Sequence, residues 1–149
     1  MVAMAASTTV SASANGVKWN VRFVSLPHAL LIHDSFNALS GGATKLLLAM
    51  ACGYVGNNNG QLVATHSLMK SFGFNSKESL SRGIRELIQC GYIIRTRTQN
   101  HRSSALYALT WLPINPARHG ESYDPGIRVS GEALDLWRCS GPIMMGAAA

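Results

Sequence analysis

The chain has 149 residues, 47% of them hydrophobic and only 13% charged, with a formal net charge of +6. This length and apolar fraction suit one compact domain with tails, and exclude a chain too polar to bury a core. The basic balance argues for an anionic partner.

Residues 1–16 are small and polar, dominated by Ala, Ser and Thr, and read as a disordered arm. Val17–Leu26 alternates apolar and polar residues, which predicts a short strand or an extended arm ended by Pro27. A short helix is expected to begin within Pro27–His33, with Asp34 capping the next turn. Ser40–Tyr54 is the first strong helix: Ser40 suits its cap, and Ala43, Leu46, Leu47, Met50 and Ala51 recur at helical spacing. The run Asn57-Asn58-Asn59-Gly60 marks a loop, and Gln61–Ala64 a short strand. Thr65 caps a short helix, His66–Phe72, with Leu68 and Met69 facing inward and Gly73 ending it.

The next helix spans Ser76–Cys90. Asn75 stands three residues before Glu78 in a capping-box-like arrangement, and Leu80, Ile84, Leu87 and Ile88 form one apolar stripe. Gly83 inside this helix costs stability relative to alanine, which implies close approach of the preceding helix. Tyr92–Gln99 and Ser104–Trp111 read as a hairpin around the polar turn Asn100–Ser103. Beyond Pro113, Pro and Gly are frequent and periodicity is low, apart from a short helix over Ser130–Trp137 capped by Ser130. The last nine residues read as frayed. The chain therefore divides into an arm over 1–16, a domain over 17–112, and a C-terminal extension over 113–149 that serves docking or dimerisation.

This order predicts an α+β fold, a winged helix-turn-helix: a three-helix core with a C-terminal β-hairpin wing, plus N- and C-terminal extensions. Its second helix is the one that enters the major groove of DNA. The face opposite the apolar stripe carries Glu78, Ser79, Arg82, Arg85, Glu86 and Gln89, with Ser76 and Lys77 at the N-terminal end, where backbone amides also favour phosphate. The hairpin adds Arg95 and Arg97, two residues apart and so on one strand face, with His101 and Arg102 at the tip. Charge is concentrated on this unit. Between Lys70 and Arg102, seven basic residues face two acids, which accounts for five of the six net positive charges.

The segment Phe23–Trp111 resembles the winged helix-turn-helix domains of phage, plasmid and bacterial regulators and replication proteins. The likeness rests on Phe-Val-Ser-Leu-Pro-His (23–28), Leu39-Ser40, Asn58-Asn59-Gly60, Ser-Leu-Ser-Arg-Gly-Ile-Arg-Glu-Leu (79–87), Gly-Tyr-Ile-Ile-Arg-Thr-Arg (91–97) and Tyr-Ala-Leu-Thr-Trp (107–111). The resemblance implies that Ser76, Lys77, Ser79, Arg82 and Arg85 lie on or beside double-stranded DNA. It also implies a role in regulating transcription, or in replication or partition of a mobile element. Glu78 and Glu86 depart from that pattern by lowering the charge of the face. Such domains often pair as two-fold homodimers that read palindromes, and Val17–Leu39 and Pro113–Trp137 are the segments available for that contact.

Competing readings exist for the same residues. Arg82 can pair with Glu78 or Glu86 one helical turn away, leaving only a solvated helix face. Arg95, Arg97 and Arg102 can serve as a charged edge strand that blocks aggregation. Tyr92, Tyr107 and Trp111 fit the core better than a base-stacking platform. The alternative function is a winged-helix protein-binding module, such as a phage-encoded inhibitor of a host defence protein. The five histidines are scattered, acids are few, and no nucleophile–base or phosphate-loop motif is present, so neither an enzyme, a metal site nor a cofactor is expected. Cys52, Cys90 and Cys139 lack metal-ligand spacing, and the first two read as reduced core thiols. No apolar run approaches membrane-spanning length, and Met1–Gly16 lacks a secretory pattern, so a cytoplasmic protein with no membrane contact is expected.

Overall fold

The computed structural model describes residues 13–14, 17–18 and 21–139. Their elements, in chain order, are β1 (Ser13–Ala14), β2 (Val17–Lys18), α1 (His28–Leu31), α2 (Asp34–Asn37), α3 (Gly41–Cys52), α4 (His66–Met69) followed directly by a 3-10 turn (Lys70–Phe72), α5 (Lys77–Gln89), β3 (Ile93–Arg97), β4 (Leu106–Leu109) and α6 (Leu136–Cys139). The chain is thus a mixed helical and sheet protein whose main sheet is the antiparallel pair β3–β4. The arm expected over 1–16 lies outside the described residues, except that Ser13–Ala14 pairs with Val17–Lys18. The frayed end expected over the last nine residues also lies outside them.

The α3 helix starts where Ser40 accepts a hydrogen bond from the Ala43 N–H at 3.2 Å. Its buried residues Ala43, Leu46, Leu47 and Met50 form the centre of the core. The α5 helix packs across them through Leu80, Gly83 and Leu87. A Cβ at position 83 would stand 3.0 Å from the Leu46 Cδ2, so glycine is what lets the two helices approach. The helix that comes close is α3, not the α4 helix immediately before it.

The hairpin closes the other side of the core. β4 is buried throughout and sits between β3 on one edge and a single bridging residue, Leu62, on the other. Leu62 and Tyr107 exchange both backbone hydrogen bonds, at 3.1 and 2.8 Å. The strand expected over Gln61–Ala64 is therefore reduced to one bridge. Tyr92 is fully buried, and its hydroxyl lies 2.6 Å from the Ser35 hydroxyl. Burial pushes the Tyr92 phenol up, while that hydrogen bond acts in the opposite sense.

Residues 113–139 pack onto this body instead of hanging from it. Asn59, in the expected polar loop, is completely buried. Its side-chain amide donates to the carbonyls of Leu109, Leu112 and Pro113, and its oxygen accepts from the Leu109 N–H at 2.7 Å. The free edge of β3 is covered by the 121–124 stretch. The Asp124 N–H donates to the Thr96 carbonyl at 2.8 Å, and its carboxylate accepts from the Thr98 N–H and hydroxyl. Trp137 is 1% exposed and meets His33 edge-to-face at 5.3 Å between ring centroids. Gly91, at φ +77°, lets the backbone of Leu136 pass where a Cβ would clash at 2.7 Å.

Several local expectations are corrected. The α2 cap is His33, whose Nδ1 accepts from the Ser35 N–H, and Asp34 is the first helical residue. The α5 cap is Ser76, not Asn75. Among the described residues of the expected Val17–Leu26 strand, Val17–Lys18 is paired and 21–26 form no strand. The C-terminal helix is Leu136–Cys139, and Ser130 donates to the Glu132 carbonyl in a turn before it. Leu68 is exposed, while Met69 is buried. Cys52 is exposed and Cys90 half-buried, so neither is a fully buried core thiol. No helix among the described residues is long and apolar enough to cross a membrane.

Candidate nucleic-acid interface

The first turn of α5 is fixed by two serines. The Ser76 hydroxyl accepts from the Ser79 N–H at 3.0 Å, and the Ser79 hydroxyl donates back to the Ser76 carbonyl at 3.0 Å. From there the helix presents Lys77, Ser81, Arg85 and Gln89, each four residues after the last, as one polar stripe. This stripe lines a groove of about 650 Å³ between α5, the α4 region and the hairpin. The half-buried Ile84 and Ile88 and the buried Tyr107 contribute apolar lining. Arg95 lines the same groove from the hairpin side, its guanidinium carbon 5.8 Å from the centre of the Tyr107 ring.

Three cations from two separate elements therefore converge on one concavity. The described residues contain two ion pairs, Arg97–Glu121 and Arg138–Asp135, and neither engages Lys77, Arg82, Arg85 or Arg95. The competing reading in which Arg82 pairs with an acid on its own helix thus has no ion pair among the described residues. Arg82 shares a second, shallower concavity of about 450 Å³ with Lys77, Glu78, Ser81 and Arg85.

Glu86 is not part of this surface. Its carboxylate accepts from the Ser40 N–H and the Ser40 hydroxyl, each at 2.7 Å, and so caps α3. The face that the helical wheel assigned two glutamates keeps one, Glu78.

Arg97, by contrast with Arg95, does not line the groove. It forms an ion pair with Glu121 and donates to the Ser104 carbonyl at 2.9 Å. The β3–β4 register shifts between Arg95 and Arg97, which removes the strict alternation that a shared face requires. At the hairpin tip, His101 and Arg102 are exposed, in a turn held by the Asn100 side-chain oxygen, which accepts from the Arg102 N–H at 2.8 Å and the Ser103 N–H at 2.9 Å.

The groove also includes Thr65, His66, Ser67, Ser81, Gln99 and Ser104, which sequence reasoning missed as site residues. Ser81 was recoverable, since it stands one helical turn from both Lys77 and Arg85. The others reach the groove only through tertiary packing. Among the described residues no group of three or more His, Cys, Asp or Glu side chains is arranged to hold a metal ion. Comparison with known protein families, curated proteins and solved structures gave no match.

Proposed function

We propose that this chain is a winged helix-turn-helix protein that binds double-stranded DNA, with regulation of transcription as its role. In this reading α3, α4 and α5 are the three-helix core, α5 is the recognition helix, and the β3–β4 hairpin is the wing. The observation that carries it is the convergence of Lys77 and Arg85 from α5 with Arg95 from the hairpin on a single open groove. With α5 in the major groove and the hairpin over the neighbouring minor groove, the sugar–phosphate strand between them runs through this concavity. Phosphates meet the three cations, and the sugar edges meet Ile84, Ile88 and Tyr107. Arg82, free of an ion pair among the described residues, faces base edges or the next phosphate.

A two-fold dimer on a palindrome is part of the same proposal. The segments available for it contribute Leu30, Leu39, Ile114 and Trp137 to the chain's own core, and their exposed apolar residues include Val21, Phe23, Ile32 and Val129.

A mobility-shift titration with duplex DNA tests the reading. Binding weakens steeply with salt, and an Arg82→Ala, Arg85→Ala double variant loses it. Unchanged binding in that variant contradicts α5 as the recognition helix. No binding even at low salt favours a protein-binding role.

A further inference from the structure

We infer that Glu78 reads a base, and that its preferred partner is a cytosine in the major groove. The inference rests on the duplex-binding reading above. Glu78 lies in the first turn of α5, exposed, in the shallow concavity that it shares with Lys77, Ser81, Arg82 and Arg85. With Glu86 bound to Ser40, Glu78 is the one carboxylate on the proposed DNA-facing side of α5. Neither ion pair of the described residues involves it, although Arg82 stands one turn away.

A carboxylate offers nothing to a phosphate strand except repulsion. It has only acceptor atoms, so it gains on a DNA-facing surface only where a donor meets it. In the major groove the donors are the amino groups of cytosine and adenine. Adenine presents an acceptor beside its donor, which suits an amide, whereas cytosine presents the donor alone, which suits a carboxylate. The neighbouring Arg82 carries the complementary chemistry, a fork that fits the two acceptors of guanine. Glu78 and Arg82, four residues apart on one helix face, therefore match a C·G pair or two adjacent steps containing one. The carboxylate lowers affinity for duplex in general and restores it at the matching sequence, which makes it a specificity-determining residue.

The test is selection of bound sequences from a random duplex pool with the wild-type protein and with Glu78→Gln, followed by titration of both proteins against a selected site and against random duplex. The wild-type pool converges on a site with a fixed cytosine. The Glu78→Gln pool shifts that position from cytosine toward adenine, the base that suits an amide, while keeping the others; binding of random duplex strengthens, and discrimination in favour of the cytosine falls by about tenfold. Duplex binding with identical position preferences in both pools, or with no preference in either, overturns the role of Glu78 and leaves the duplex-binding reading standing. Absence of binding by both proteins overturns that reading and this inference with it.

Discussion

The Glu86 carboxylate holds Ser40 by two hydrogen bonds of 2.7 Å, one from the backbone N–H and one from the hydroxyl. This contact ties α5 to the N-terminus of α3 and engages the Glu86 carboxylate away from the groove, which it does not line. Glu86→Ala is expected to lower stability by about 1 kcal/mol in urea unfolding, the size of a cap whose surroundings are partly wet. Its affinity for duplex DNA stays at the wild-type level or above, in contrast to Arg85→Ala.

Gly83→Ala places a methyl group 3.0 Å from the Leu46 Cδ2. Leu46 is fully buried, so it has little room to yield. Helix propensity favours alanine by roughly 1 kcal/mol, while overpacking costs about 1–3 kcal/mol. The net effect predicted is destabilisation in the wild-type background. In a Leu46→Ala background the sign reverses, and alanine at 83 becomes the better residue. A double-mutant cycle by denaturant unfolding reads this directly.

Asn59→Ala is expected to cost about 3 kcal/mol, because it strands several buried carbonyls and the Leu109 N–H at once. Thermal unfolding checks it. Exposed Asn57, two residues earlier in the same run, tolerates alanine with little change.

Trp137→Ala lowers stability by roughly 4 kcal/mol in chemical denaturation, the scale of a large buried ring lost from a core. A change within about 0.5 kcal/mol, typical of surface sites, would show that the C-terminal extension is not part of the folding unit.

Parts of this structure were legible in local sequence. The α5 helix announced itself because Leu80, Ile84, Leu87 and Ile88 repeat at its period, and the Ser40 cap of α3 stands directly before the apolar pattern. The hairpin followed from two β-rich runs around a polar turn. The destination of Glu86 was not legible, since a helical wheel shows which face is outward but not which helix end lies opposite. That end is brought there by the Gly83–Leu46 contact. The ion pair of Arg97 was hidden for a similar reason: its partner Glu121 is 24 residues further on, in a stretch without periodicity. Asn59 sits in a run whose composition signals a loop, and nothing local distinguishes the one asparagine that turns inward. Local sequence places Trp137 only at the end of a short helix and does not show that it is buried, because the His33 ring it meets is far away in the chain.

Duplex binding through the α5–hairpin groove is tested most directly by the slope of log affinity against log salt for the wild type, Arg95→Ala and Arg97→Ala. Arg95 lines the groove, whereas Arg97 is held by Glu121. Losing one phosphate contact lowers the slope by about 1. Arg95→Ala is therefore expected to flatten the slope by about that amount, while Arg97→Ala leaves it at the wild-type value. A flattened slope in Arg97→Ala with none in Arg95→Ala would contradict the groove as the DNA site, as would affinity that does not depend on salt.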